Sequence, residues 1–221
     1  MKILINALVK FFCGFLLVGL LIFLPAGTLA FAKGWLLMGL LFGPMFIAGL
    51  VMLDKSPEFL AKRLDVKEKR SAQQGVVKLS GLMFIAGFVV AGLDFRFGWS
   101  NMPQEVTVVA SVLFLLAYLL YAEVMRENAY LSRTIKVEEG QTVVSTGLYG
   151  IVRHPMYMAT LLLFLVMPLV LGSWYGLIPF AFYPVIITVR LLDEEKLLTR
   201  ELPGYAEYKQ KVKYRLLPFI W

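Results

Sequence analysis

Residues 9–31 read VKFFCGFLLVGLLIFLPAGTLAF, and residues 106–126 read VTVVASVLFLLAYLLYAEVMR. Each holds close to the roughly 20 apolar residues that a helix needs to cross a hydrocarbon core of about 30 Å. Four more runs of this kind lie at 34–53, 77–97, 155–173 and 175–192. The whole chain agrees with them: its 221 residues are 59% apolar and 17% charged, and its mean hydropathy is +0.75. An ordinary soluble domain is only about half apolar. The sequence therefore predicts an all-α, polytopic membrane helix bundle of about six transmembrane helices. It forms one integral membrane domain over 1–221, with N-terminal helices in 1–126 and a C-terminal half, 127–221, that carries the polar motifs. Chemistry has to come from two polar stretches, 54–76 and 127–154, and from the tail after 193.

Charge sets the orientation. The net charge of +7 invites a nucleic-acid reading, but lysine and arginine also accumulate on the cytoplasmic side of membrane proteins. With both termini inside, twenty of the 22 basic residues fall on inner segments, leaving Lys33 and Arg96 outside. An even number of spans and the charge bias thus agree on cytoplasmic termini and loops, and anionic lipid headgroups account for the basic face without nucleic acid. The single Cys13 and single His154 exclude an intrachain disulfide and a structural zinc set, so no metal is expected. The first run lacks a small-residue cleavage site and is followed at once by another span, so it reads as a retained helix, with the mature chain starting at Met1.

In 54–76, Ser56-Pro57-Glu58 marks a helix start: a capping serine, a proline in the first turn and an acid near the positive helix end. Phe59, Leu60 and Leu64 then alternate with Lys62, Arg63, Lys67, Lys69 and Arg70, the pattern of a short helix in the membrane interface. It serves as an anchored linker or as a rim guiding a lipid-like substrate. Pro44, Pro168, Pro179 and Pro184 fall within spans, where each kinks a helix. No internal repeat supports an inverted-repeat transporter.

The most informative stretch is Gly147-Leu148-Tyr149-Gly150-Ile151-Val152-Arg153-His154-Pro155-Met156-Tyr157. Pro155 suits a first helical turn, so the fifth span starts there with free amides and a partial positive charge that favour an anionic or polar ligand group. Gly147 and Gly150 permit close backbone approach, while Tyr149 and Tyr157 offer a ring face and a hydroxyl. An interfacial belt, with Arg153 snorkelling and His154 capping a turn, uses the same residues equally well. A second cluster, Arg190 with Asp193-Glu194-Glu195, ends the sixth run. Three acids at a helix C-terminus oppose its dipole, which predicts that this helix continues to Leu202-Pro203-Gly204. Arg190 and Glu194, four apart, can form an exposed pair, but an arginine at the edge of an apolar helix is also a site candidate.

Asn128, Gly147-Leu148-Tyr149, Arg153-His154-Pro155-Met156-Tyr157, Glu194-Glu195, Gly204-Tyr205, Tyr208 and Leu217-Pro218, taken in this order, resemble the isoprenylcysteine carboxyl methyltransferase family, to which phospholipid methyltransferases are related. The resemblance covers about 128–218. It implies a membrane enzyme that binds S-adenosyl-L-methionine in a cytoplasmic pocket closed by the C-terminal segments. By matching position, Gln141, Thr142, Val143, Val144, Tyr149, His154, Pro155, Met156 and Tyr157 line the cofactor site. Glu195 holds a polar end of the cofactor, or Glu194 does so in its place. Arg190, one residue off the family's register, is the substrate-orienting arginine; Arg190 and Glu194 are the implied catalytic residues.

The resemblance further implies methyl transfer to a lipid-like acceptor from the bilayer, such as the carboxylate of a prenylated cysteine or a similar isoprenoid compound. A carboxylate needs no general base, so orientation and desolvation carry the rate. A phospholipid amine would instead have to lose a proton, to His154 or Glu195. Membrane sterol reductases, which use NADPH, share a similar His-Pro-x-Tyr pattern but carry an Asn where this chain has Met156. A lipid-binding or transport protein is the non-catalytic rival, against which stands the scarcity of charged residues deep in the spans.

Overall fold

The computed structural model describes residues 2–64, 71–132, 134–135 and 137–221. Lys67, Lys69 and Arg70 of the expected interfacial helix therefore lie outside the described residues. In chain order the helices are α1 (Lys2–Ala26), α2 (Ala32–Lys55), α3 (Pro57–Leu64), α4 (Ser71–Phe97), α5 (Gln104–Glu127), α6 (Pro155–Val170), α7 (Trp174–Phe180), α8 (Tyr183–Glu201) and α9 (Tyr205–Lys211). One 3-10 turn, Gly147–Gly150, lies between α5 and α6. No strand occurs among the described residues; Val152 and Tyr214 form an isolated parallel bridge.

Among the described residues, five segments are long and apolar enough to cross a membrane: α1, α2, Gln73–Phe97 of α4, α5, and Trp174–Glu201, which joins α7 and α8. The expected count of about six is modified by α6, whose 16 residues make about 24 Å at 1.5 Å per residue, short of a core about 30 Å thick. Even so, α6 runs from one end of the bundle to the other. It begins just after His154, which lies beside Glu195, and ends just before Ser173, whose hydroxyl donates to Asp94. The sixth run is broken where a continuous helix was expected. Pro184 lacks an amide hydrogen and its ring collides with the carbonyl four residues earlier, so the chain turns at Ala181–Phe182 before α8 begins. Beyond that break α8 continues to Glu201, as its terminal acids require, and Gly204 with φ of 82° starts α9. At the other end of the chain, α1 begins before the apolar run and stops at Ala26, because Gly27 takes a left-handed φ of 70°.

The core is built from Ile22, Leu37, Phe114, Met167 and Phe180. Gly92 lets α4 close on α1: a Cβ there would lie 2.5 Å from the Ile22 carbonyl. The outer surface is apolar, with Leu24 and Leu119 exposed at 74% and 67%, as a surface facing acyl chains has to be. The short helix α3 buries Leu60 and is pinned on its polar side. Lys62 pairs with Glu138 and Arg63 donates to the Tyr121 hydroxyl. This clamps α3 to the end of the bundle that carries the second polar loop.

Candidate functional site

The stretch 147–157 and the C-terminal tail build one end of the bundle together. Gly147 has φ of 49°, and a Cβ on it would fall 1.6 Å from Glu127 Oε1. Only glycine lets the chain pass this glutamate, whose other oxygen accepts from the Leu148 amide at 3.0 Å. The 3-10 turn that follows buries Tyr149. Its hydroxyl accepts from Asn128 Nδ2 at 2.9 Å, and its carbonyl accepts from the Tyr208 hydroxyl at 2.7 Å. Next to it the tail lies alongside the chain: Arg153 N donates to the Tyr214 carbonyl and His154 N to the Arg215 carbonyl, both at 2.9 Å.

Arg153 is buried, not snorkelling. Its Nε donates to Glu195 Oε1 at 2.6 Å, and its Nη1 to the carbonyls of Val212 and Lys213 at 2.8 and 3.1 Å. Arg215 Nε takes the other Glu195 oxygen at 3.1 Å. His154 occupies the cap position of α6 but makes no side-chain cap bond. Its Nε2 stands 3.4 Å from Glu195 Oε1 without hydrogen-bond geometry. Glu195 is thus the counter-charge for two guanidinium groups drawn from the α6 approach and the tail.

A second network is built around Glu194, the residue next to Glu195 in α8. Tyr157 donates its hydroxyl proton to Glu194 and accepts from Arg190 Nε at 3.2 Å. Arg190 Nη1 also reaches Gln73 Oε1 at 3.3 Å, and Gln73 Nε2 donates to Asp193 Oδ2 at 2.6 Å. Arg190 and Glu194, which the sequence left as an exposed pair or as site residues, both bond the Tyr157 hydroxyl. The rings of His154 and Tyr157 are stacked at 5.6 Å, which joins the two networks. Gln73, fully buried at the start of α4, was not found from the sequence. The signal was present, since a polar side chain at the mouth of an apolar run calls for a partner.

The remaining predicted residues are less uniformly placed. Pro155 is buried and Met156 half-buried in the first turn of α6. Val143 packs with Leu198, Leu202, Tyr205, Tyr208 and Val212. Gln141 closes its own loop by accepting from the Glu138 amide at 2.9 Å, while Thr142 is exposed and Val144 half-buried.

Burial pushes the hydroxyls of Tyr149, Tyr205 and Tyr208 well above the ordinary tyrosine range, so all three are neutral at physiological pH. Tyr205 is also acted on by the negative charges of Glu195 and Glu194. Its hydroxyl is buried without a hydrogen-bond partner, as is His154 Nε2. Buried polar groups are normally satisfied, so each such exception calls for an explanation. Two orphan atoms beside two carboxylates and a stacked aromatic pair suit a polar, cationic ligand that supplies the missing partners.

Residues 97–204 match the sequence model of the phospholipid methyltransferase family, just under half of the chain. The matched region runs from the end of α4 to Gly204. It contains Asn128, Tyr149, Arg153, His154, Tyr157, Arg190, Glu194 and Glu195, and it stops before Tyr205, Tyr208 and Arg215. This match supports a membrane methyltransferase. A curated relative, the Delta(14)-sterol reductase of Mus musculus, is 31% identical over 93 residues, covering 40% of this chain and 22% of that protein. The chain thus matches about a fifth of the length of this relative.

Proposed function

We propose that the chain is an S-adenosyl-L-methionine-dependent methyltransferase acting on a lipid-like acceptor that enters from the bilayer. The observation that carries the reading is that the 97–204 match includes His154, whose Nε2 is buried without a hydrogen bond at the end of the bundle where the Tyr205 hydroxyl, just beyond the match, is also unbonded. Tyr149, His154, Pro155, Met156, Tyr157 and Val143 would hold the cofactor. Once bound, the cofactor supplies an electrophilic methyl group on a sulfonium. Glu194 and the aromatic rings favour its positive charge. The Tyr205 hydroxyl donates to a polar acceptor on it, and burial of the site excludes water from the methyl group.

Arg190 reaches the Tyr157 hydroxyl from α8. An acceptor carboxylate is a nucleophile without a base, and the Arg190 guanidinium would orient it by exchanging its bonds to Tyr157 and Gln73 for a bidentate contact. This favours a carboxylate acceptor, such as that of a prenylated cysteine or a similar isoprenoid acid, over a phospholipid amine. An Arg190→Gln variant should lose about a hundredfold in turnover on such an acceptor; unchanged turnover would remove Arg190 from the mechanism. The site end is assigned to the cytoplasm on the charge bias alone.

The partial likeness to a sterol reductase favours a second reading, in which the same end holds NADPH and reduces a lipid double bond. Calorimetry of the detergent-purified chain with S-adenosylhomocysteine and, separately, with NADPH distinguishes the two. Binding of the homocysteine product alone is the expected result. Binding of NADPH alone would transfer the site to reduction, and binding of neither to folded protein would leave no catalytic reading standing.

A further inference from the structure

The outward face of α8 changes character along its length. Phe182, at its cap, and Val185, Val189 and Leu192 are exposed at 63, 65, 54 and 37%, and they recur three or four residues apart, so they form one stripe. On a bundle with apolar outer walls such a stripe lies against acyl chains. One turn further the stripe becomes Lys196, Thr199 and Arg200, all exposed. There it forms a wall of a groove of about 440 Å³ completed by Glu195, Lys209 of α9 and Arg215 of the tail. Four cations face one acid, and that acid is held by Arg153 and Arg215. Arg200 pairs with Glu201 beside the groove. Lys209 Nζ has the Thr199 hydroxyl at 3.4 Å. Among the described residues no carboxylate pairs with Lys196 or Lys209.

We propose that this groove binds the phosphate headgroup of an anionic membrane lipid, whose acyl chain descends along Val185, Val189 and Leu192. Two features select that occupant. The groove has unpaired positive charge, which an anionic phosphate neutralises and a zwitterionic headgroup offsets with its own ammonium. It also opens where an apolar stripe ends, so one molecule with a charged head and an apolar tail meets both surfaces. The inference does not rest on methyl transfer: Glu195 and Arg215 of the candidate site form its inner edge, but the charges that select the lipid, Lys196, Arg200 and Lys209, lie on the outer face.

The test uses the full chain, delipidated in neutral detergent and titrated with phosphatidylglycerol, phosphatidylcholine or inorganic phosphate, with bound lipid counted by native mass spectrometry. The variant Lys196→Gln/Arg200→Gln/Lys209→Gln should hold phosphatidylglycerol roughly a hundredfold more weakly, from the loss of three nearby cations. Its retention of phosphatidylcholine should not change. Removing three exposed charges elsewhere at the same end, in Lys2→Gln/Lys55→Gln/Lys78→Gln, should leave phosphatidylglycerol binding within about threefold of the parent. Should the groove variant fail to fold, Lys196→Glu alone reverses one exposed charge and should weaken binding by more than about fivefold. Equal loss in the two triple variants would mean attraction by the diffuse basic field and would overturn the groove. No preference for phosphatidylglycerol over phosphatidylcholine would do the same. Displacement of the lipid by equimolar inorganic phosphate would show that the stripe contributes nothing.

Discussion

Each end of the bundle buries a carboxylate, and the two are satisfied by different chemistry. Asp94, 2% exposed, accepts from the Ser100 amide and hydroxyl, both at 2.6 Å, and from the Ser173 hydroxyl. Ser173 accepts in turn from the Gly176 amide at 2.7 Å, and Ser100 from the Trp174 amide at 2.9 Å. These neutral donors tie the ends of α4 and α7 into a closed clip. Glu195, 3% exposed, faces Arg153, Arg215 and His154 instead. Its two arginine partners come from separate parts of the chain and carry charge, and His154 Nε2 and the Tyr205 hydroxyl are left without hydrogen bonds. Neutral closure leaves no donor or acceptor of the Asp94 clip unused, whereas charged closure at the Glu195 end leaves hydrogen-bonding capacity that the proposed ligand would use.

The largest expected effect breaks the charged node. Glu195→Gln removes the counter-charge of the buried Arg153 and should cost about 3–5 kcal/mol of stability. Asp94→Asn keeps an acceptor oxygen among hydroxyls that can reorient, and should cost about 1–3 kcal/mol. Chemical unfolding of both variants in mixed micelles measures the difference, and the reverse order would erase the contrast between the ends. Effects below that of Glu195→Gln come from one glycine at each end. Gly147→Ala must displace a Glu127 carboxylate anchored by the Leu148 amide and also strains a left-handed residue, for about 2–4 kcal/mol in all. Gly172→Ala, at φ of 76°, meets only the end of the Lys33 side chain, which can swing away, leaving about 1–2 kcal/mol of backbone strain. Equal losses in the same unfolding assay would mean that Glu127 yields as freely as Lys33.

Much of this arrangement was legible in the sequence, and the limits have physical causes. Apolar runs of the right length fixed the helical bundle, because length and hydropathy are local properties. Pro155 gave the start of α6, and the acids after Arg190 gave the extension of α8, again from local rules of helix ends. The break at Ala181–Phe182 was missed because a proline in an apolar run either kinks or ends a helix, and packing decides which. The snorkelling reading of Arg153 failed because its partner lies 42 residues away, and no periodicity reports a pairing across such a distance. Gln73 escaped for the same reason, with Arg190 117 residues beyond it. The pairing of residues 153 and 154 with the tail is likewise tertiary. The tail residues Tyr205 and Tyr208 were visible as letters of a resemblance, but their burial against Tyr149 and Val143 was not.

The smallest expected effect is the sharpest test of which end binds. Tyr205→Phe removes a hydroxyl that is buried and makes no hydrogen bond, so the free protein should lose nothing and stay within about 0.5 kcal/mol of the parent. Removing an unsatisfied polar group even relieves a desolvation cost. On the proposed reading the same hydroxyl gains a partner when ligand binds, so its loss should weaken binding of S-adenosylhomocysteine by roughly threefold to tenfold, the equivalent of one neutral hydrogen bond. Ser173→Ala at the other end should do the opposite: it takes a donor from Asp94 and an acceptor from the Gly176 amide, costs about 1–2 kcal/mol of stability and leaves affinity alone. Calorimetry and unfolding on the same two variants separate the roles. If Tyr205→Phe destabilised the free protein as much as Ser173→Ala does, its hydroxyl would be a structural contact, and the two ends would differ in charge but not in purpose.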